Sequence, residues 1–418
     1  MKTVVIIGDG MSDYPVAALG GQTPLMAAQK PNMDLIARNG RTGLFTTIPE
    51  GQPKGSAVAN LSVLGYDPVQ TFQGRAVLEA ASMGVDLAEK DVALRLNLIS
   101  LNTEGAGDEE NDTIRNHSAG HIETAHAEQL IDCLEERMGS WRDTPIRFHS
   151  GISYRHLLVL QGGWASPAVQ CAPPHDHVGE PVRKLLPCAM DPEDPVGRKT
   201  ASMLVELYRK SRTLLCDHPV NLQRRRDGLC TADAIWTWSP GRRPVMKTMR
   251  ERFGISGAVI SAVDLVKGMG RYAGLEVIEV EGATGLSDTN YEGKAQAALD
   301  ALEEHDFVYL HVEATDEAGH SKDLDLKIKC IEYLDRRLIG PLLDGIQKRS
   351  IRASVALLPD HPTPVETGSH ADDPVPVAIM RPDWTPDEVN GYDEEKVKNG
   401  SLGLLKGDEF IRSALGLE

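Results

Sequence analysis

One pattern constrains this chain more than any other: a short apolar run that stops at a carboxylate, found near one end of the sequence and again near the other. Residues 3–7 read Thr-Val-Val-Ile-Ile and end at Gly8-Asp9-Gly10, the mark of a buried strand closing in a tight turn. Asp9 then lies at the C-terminal end of that strand. Apolar Met33, Ile36 and Ala37 recur at helical spacing over 31–39 and Gly40 follows as a stop, so a helix packed on a sheet comes next. Strand followed by helix indicates an α/β core. The same grammar returns at 306–312 (DFVYLHV) and 353–358 (ASVALL), each followed by a carboxylate and a histidine, with an amphipathic helical pattern over 324–343 between them and a further strand at 375–380. Open α/β sheets gather ligands at the carboxyl ends of their strands. Asp9, Asp316, His320, Asp360 and His361 are therefore expected to converge.

The 418 residues allow two or three domains. Apolar residues make up 41% and charged residues 25%, an ordinary balance for a folded chain and too apolar for disorder. The net charge is −17, which excludes a general nucleic-acid binder. The N-terminal apolar run is too short for a signal peptide or a membrane span, so a cytoplasmic protein with no membrane partner is expected. Cysteines at 133, 171, 188, 216, 230 and 330 form no CxxC pair and read as small buried hydrophobes. The middle of the chain differs from its ends. Residues 104–116 and 161–195 read as long irregular connections. Eleven Lys/Arg against four Asp/Glu over 209–252 form either a solvated face or an anion-binding wall. Within that stretch Arg242 and Arg243 follow a turn-forming Ser239-Pro240-Gly241, whereas 224–226 lack such a turn and read as solvated.

The late clusters are Asp316-Glu317-Ala318-Gly319-His320, Asp360-His361-Pro362 and Gly368-Ser369-His370. A single Asp or His in a loop is usually structural, but three such elements after strands point to a divalent metal. Carboxylate and imidazole donors without thiolate suit Mn²⁺ or Zn²⁺, and Mg²⁺ less well. A short helix ending at Gly65 places Gly55-Ser56 at its N-terminus. Ser56 can be an N-cap, or a nucleophile whose alkoxide or phosphoester is stabilised by the helix N-terminus.

GDGMSD at 8–13, GSAVANLSVLGYDP at 55–68, GRAVLEAASMGV at 74–85, PPHD at 173–176, SPGRRP at 239–244, GATGLSDTNYEGKA at 282–295, DEAGH at 316–320 and PDHPTP at 359–364 occur in one order along nearly the whole chain. In this the sequence resembles the archaeal-type 2,3-bisphosphoglycerate-independent phosphoglycerate mutases of the alkaline phosphatase superfamily. NHSAGHI at 116–122 and the tail beyond Tyr392 resemble a bacterial branch for which a homoserine kinase role has been proposed. The resemblance implies an alkaline-phosphatase-like core sheet flanked by helices, built from 1–87 and 253–418, with a smaller α/β cap inserted at 88–252. It implies two divalent metal ions, one held by Asp9, Ser56, Asp360 and His361 and the other by Asp316, His320 and His370. Ser56 would be the nucleophile, and His117, Arg155, Arg242, Arg243 and Lys294 would hold a small phosphorylated carboxylate. Two departures stand out: Ala57 replaces an acidic residue that commonly follows the serine, and Ala76-Val77 stand where Gly-Pro is usual.

The implied reaction interconverts 3-phosphoglycerate and 2-phosphoglycerate through a phosphoserine, with no nucleotide. Phosphorylation of homoserine and simple phosphomonoester hydrolysis would use the same residues, and a structural metal site in a binding protein is a non-enzymatic alternative. The sequence is silent on oligomeric state.

Overall fold

A computed structural model describes residues 1–103 and 112–417. The chain divides into two compact units, Met1–Phe72 with Val245–Glu418, and Gln73–Pro244. Residues 73–87 and 245–252 thus fall in the opposite units from those expected. The helix Arg75–Ser82 packs on strand Ala234–Arg242 of the second unit, and Met249 N–H is bonded to Ala273 O of the first.

The first unit is built on an eight-stranded sheet. Its strands are β1 (Lys2–Gly8), β2 (Arg41–Phe45), β3 (Gly257–Ile260), β4 (Glu276–Ile278), β5 (Phe307–Val312), β6 (Ala353–Leu358), β7 (Val375–Met380) and β8 (Gly403–Leu405). The spatial order is β4-β3-β5-β1-β6-β7-β2-β8. β1 runs parallel to both neighbours, Thr3 pairing with Phe307 on one side and Ser354 on the other, while β7 is antiparallel to β6 and β2. Because β1, β5 and β6 are central and parallel, both of their faces must be covered, and this is why they read as unbroken apolar runs. Val4 and Ile6 pack with Met33 and Ile36 of the helix Pro31–Arg38, with Leu299 of Tyr291–Glu304, and with Ile331 and Leu334.

The expected helix over 324–343 is a longer helical run, Leu324–Tyr333, a π-turn at Leu334–Ile339, then Gly340–Lys348. The π-turn has a use. It holds buried Asp335 against the N-terminus of Pro31–Arg38, where its carboxylate accepts from Asn32 N and Met33 N at 2.9 and 2.7 Å. That helix has no side-chain cap of its own, so Asp335 satisfies its free N–H groups from another segment.

Lys327, on the same run, is fully buried. Its ammonium donates to Ser12 O (3.2 Å), Asp13 Oδ2 (2.7 Å) and Thr363 O (2.8 Å). The pair ties the loop after β1 to the loop after β6.

The second unit holds a six-stranded antiparallel sheet, Ala234–Arg242, Val92–Asn102, Arg155–Leu160, Thr144–His149 and Ser140–Trp141 in spatial order, with Thr113–Asn116 also on Val92–Asn102. Helices Thr124–Met138 and Pro195–Cys216 bury Leu130, Leu134, Leu204 and Leu207 against Leu94, Leu96 and Ile146. Of the connection expected at 104–116, residues 104–111 lie outside the described residues and Thr113–Asn116 is a strand. The one at 161–195 contains a small two-stranded sheet, Val169–Gln170 with Cys188–Ala189.

The basic stretch is not one surface. Arg224 is buried and donates to Cys230 O (2.8 Å) and Ala119 O (3.0 Å), so it is a packing residue and not part of a solvated face. Ser239-Pro240-Gly241 is a bulge inside strand Ala234–Arg242, with a register shift between Trp238 and Gly241 and Ser239 at φ 51°. Of the cysteines only Cys330 is buried; the others are half-buried or exposed, and all are free. Among the described residues no helix is long and apolar enough to cross a membrane.

The Lys327–Asp13 pair generates a test. Lys327→Met leaves Asp13 buried without its counter-ion, which is expected to destabilise the first unit by about 3–5 kcal/mol. Lys327→Met with Asp13→Asn is expected to recover part of that loss. Chemical denaturation reads both, and an unchanged midpoint for Lys327→Met would show that the pair contributes nothing.

Candidate metal centre

Three of the expected residues follow central strands directly. Asp9 comes after β1, its N–H bonded to Val312 O of β5 at 2.9 Å, and Asp360 and His361 come after β6. Asp316 and His320 lie on the helix Ala314–His320 that follows β5. Gly10 lets the first of these loops close on the third: its φ is +58°, and a Cβ there would stand 2.5 Å from Asp316 Oδ1.

Ser56 is not an N-cap. Gly55 occupies that position at φ 136°, where a Cβ would meet His370 Nδ1 at 2.9 Å, and Ser56 is the first helical residue of Ser56–Val63. Its hydroxyl lies 3.1 Å from His361 Nε2. The same imidazole nitrogen is 3.5 Å from Asp9 Oδ1 and 3.5 Å from Asp360 Oδ2. Asp9, Ser56, Asp360 and His361 thus meet around one point.

Asp316, His320 and His370 form a second group. His320 Nε2 is 3.1 Å from Asp316 Oδ2, His370 Nε2 is 3.5 Å from Asp316 Oδ1, and the two Nε2 atoms are 2.9 Å apart. His320 Nδ1 lies 2.9 Å from Gly368 O; a carbonyl only accepts, so Nδ1 carries a hydrogen, and Nε2 is the nitrogen left to act as a ligand whenever the ring gives up its second proton. The groups adjoin: the His361 and His370 rings are 4.2 Å apart, and Asp9, Asp316 and His361 also bring ligating atoms within 4.8 Å of one another.

The charge balance of this cluster calls for a cation. Asp9, Asp316 and Asp360 are buried, and Asp9 Oδ1 has no hydrogen-bond partner, a costly state for a carboxylate. Burial, and then the charges of Asp360, Glu313 and Asp316, hold the Asp9 carboxyl well above the usual range. Burial likewise pushes Glu313 up to about 7 and lowers His361. The Asp316 carboxylate beside His320 pushes that imidazole up to about 9. A donor set of carboxylate oxygen and imidazole nitrogen gathered this closely fits a divalent ion.

Other polar groups orient these side chains. His311 Nε2 is 2.9 Å from Asp9 Oδ2, and its Nδ1 is 3.2 Å from Ser261 Oγ. Asp360 Oδ1 accepts from Gly10 N (3.2 Å) and His361 N (2.9 Å), Thr363 Oγ1 donates to Asp316 Oδ1, and Thr315 Oγ1 donates to Asp9 O. His311 and Glu313 are absent from the residues expected above. Their signal was position: polar residues closing an otherwise apolar parallel strand stand where ligands gather.

Four of the five expected substrate cations lie in the second unit. His117 is half-buried, its ring 5.7 Å from that of Tyr154 and 6.1 Å from that of His175, and burial followed by the charges of His175, His121 and Arg155 lowers its pKa. Arg155 is exposed, with its guanidinium 5.0 Å over the Tyr154 ring. Arg242 is half-buried and donates to Ala165 O at 2.8 Å, while exposed Arg243 reaches Leu87 O at 3.4 Å. Lys294 lies in the first unit. The helix Tyr291–Glu304 turns it onto the sheet of the first unit, where it has no exposed surface, donates to His311 O at 3.2 Å and is lowered by burial to about 8. So placed, it supports the strand end that carries His311 and Glu313.

A family profile described as 2,3-bisphosphoglycerate-independent phosphoglycerate mutase matches residues 37–221. The enzyme of that name from Methanosarcina acetivorans is 50% identical over 413 residues, 98% of each chain. A solved structure of a Pyrococcus horikoshii protein superposes with TM-score 0.81 at 30% identity, covering 100% of this chain and 98% of its own. The cofactor-independent phosphoglycerate mutase of Thermoplasma acidophilum superposes with TM-score 0.71 at 27% identity over 100% of both chains. With half of its residues shared over nearly its full length, the chain belongs to the 2,3-bisphosphoglycerate-independent phosphoglycerate mutase family.

Proposed function

We propose that this protein interconverts 3-phosphoglycerate and 2-phosphoglycerate by passing the phosphoryl group through Ser56. The observation that carries the proposal is the placement of the Ser56 hydroxyl: on the first residue of its helix and 3.1 Å from His361 Nε2, the nitrogen that also lies 3.5 Å from the unpartnered Asp9 Oδ1. The relatives named above carry the mutase name, so transfer to homoserine is not favoured. Two divalent ions, Mn²⁺ first among them, would be held by Asp9, Ser56, Asp360 and His361 and by Asp316, His320 and His370. When bound, they supply positive charge that favours the Ser56 alkoxide and offsets the charge of the phosphoryl oxygens.

Ser56 Oγ attacks phosphorus in line, the bond to the substrate hydroxyl breaks, and the departing oxygen takes a proton, leaving phosphoserine and glycerate. Glycerate reorients, and its other hydroxyl attacks the same phosphorus as Ser56 leaves. Atoms and charge return to their starting count, so no nucleotide enters. The phosphoryl group sits at a helix N-terminus, where free N–H groups favour negative charge. Ala57 adds no opposing charge to that first turn. Water must be excluded while phosphoserine stands, since otherwise the product is inorganic phosphate. His117, Arg155, Arg242 and Arg243 are the proposed contacts to the anionic substrate, guanidinium being suited to carboxylate and phosphate. The work of such an enzyme on soluble intermediates suits the cytoplasm.

Purified protein with Mn²⁺ and 3-phosphoglycerate is expected to yield 2-phosphoglycerate without nucleotide and with little phosphate release. In a parallel incubation with homoserine and ATP no phosphohomoserine is expected. The reverse outcome would replace the mutase reading with the kinase one. Exhaustive removal of divalent metal, or Ser56→Ala, is expected to lower kcat by ~1,000-fold or more; turnover that survives either change would refute the phosphoserine route.

Arg155→Ala and Arg243→Ala are each expected to lower kcat/KM by about 10- to 100-fold through loss of a charged contact, with metal content unchanged. Exposed Arg226 is the control, and Arg226→Ala is expected to leave kcat/KM alone. Equal losses at all three positions would indicate general attraction of the anion.

A further inference from the structure

We infer that Asn60 is a positioning residue that sets the Asp360 carboxylate against the Ser56 turn, an inference that rests on the roles proposed above for Asp360 and Ser56. Asn60 lies one helical turn beyond Ser56 on the same face and has no exposed surface. Its amide nitrogen donates to Ser56 O at 2.9 Å and to Asp360 Oδ2 at 2.7 Å. Its amide oxygen accepts from the hydroxyl of Tyr309, a wholly buried residue on β5. An asparagine side chain has two N–H donors and one carbonyl, and here each N–H has one acceptor and the carbonyl one donor.

This arrangement has a direction. The Tyr309 hydroxyl donates to the oxygen side of the amide, so the N–H side faces Asp360. With Asp360 Oδ1 already engaged by Gly10 N and His361 N, the bond to Oδ2 fixes the rotation of the whole carboxylate. The other N–H fixes that carboxylate relative to the residue that carries the hydroxyl. Packing alone gives no reason for an amide here, because Val58, Ala59 and Leu61 beside it are buried apolar residues, and a buried amide is costly unless every bond is made. Three segments distant in sequence, the Ser56 helix, β5 and the loop after β6, are thereby held in register at the reacting centre.

Asn60→Ala, Asn60→Asp and Tyr309→Phe, each alongside Ser56→Ala, test this by kcat, KM for 3-phosphoglycerate, Mn²⁺ affinity by titration calorimetry, and melting temperature. Asn60→Ala is expected to lower Mn²⁺ affinity or kcat by about 10- to 100-fold, as for other residues that orient metal ligands, with KM nearly unchanged. Asn60→Asp, which sets a second negative charge against Asp360, is expected to be at least as damaging. Tyr309→Phe frees the amide to turn and is expected to act in the same direction with a smaller loss. Because both residues act through one bond, the double variant is expected to be no worse than Asn60→Ala alone.

A folded Asn60→Ala protein with unchanged kcat and Mn²⁺ affinity, or losses that simply add in the double variant, would overturn the inference. So would a fall in melting temperature with full activity per folded molecule. If Asn60→Ala fails to fold, Tyr309→Phe decides by the same measurements. Full activity in Ser56→Ala would refute the reaction proposed above, while the Mn²⁺ affinity of the Asn60 variants would still decide the role of Asn60.

Discussion

The candidate metal centre hangs on two loops, one after β1 and one after β6, and a buried ammonium ties them together. Lys327 spends its three N–H groups on three acceptors, two in the first loop and one in the second. Its partner Asp13 also accepts from Val365 N at 3.1 Å, so the carboxylate spans both loops as well. Glu394, from the C-terminal segment, accepts from Ser12 Oγ (3.2 Å), Asp13 N (3.1 Å) and Thr23 Oγ1 (2.7 Å). A buried ion pair is weak evidence of net stability, since desolvation costs about as much as the attraction returns. Its value lies in geometry: this one arrangement of the two loops gives every one of these groups a partner.

With the loops fixed, the protein can gather negative charge at one spot. Asp9, Asp316 and Asp360 come from three different segments, which meet because each follows one of the three central parallel strands. The orienting bonds from His311, Thr363 and the Gly10 and His361 main chain keep the carboxylates from turning away from one another. That arrangement leaves Asp9 Oδ1 without a donor, as a cluster built to receive a cation would. The helix Ser56–Val63 adds the complementary element, an N-terminus opened by Gly55 so that the serine hydroxyl faces the cluster.

Much of this could be read in the sequence, for physical reasons that also explain what could not. Strands β1, β5 and β6 are legible because two-sided burial leaves no room for polar alternation, and 353–358 and 375–380 coincide with Ala353–Leu358 and Val375–Met380. Asp9, Asp316, Asp360 and His361 are legible as carboxylates and imidazoles just past such runs. Lys327 was not, because a lysine on an amphipathic helix is ordinarily solvated, and only the tertiary structure reveals a carboxylate and two carbonyls around it. Arg224 was misread for the same reason: three consecutive arginines look like one charged face, yet the first of them is turned inward to two carbonyls. The boundary between the units escaped because the helix Arg75–Ser82 carries no signal of which sheet it packs on.

The order of the strands has a consequence for synthesis. β1 precedes both of the strands that pair with it by about 300 residues or more. At roughly 5–20 residues per second, Val4, Val5, Ile6 and Ile7 wait roughly 15–60 s for a ladder partner. The second unit, by contrast, is one continuous stretch from Gln73 to Pro244, and every strand of its sheet exists before β5 is made. An emerging chain therefore carries an unpaired apolar segment, the very one that later lies at the centre of the sheet, past the completion of an entire domain.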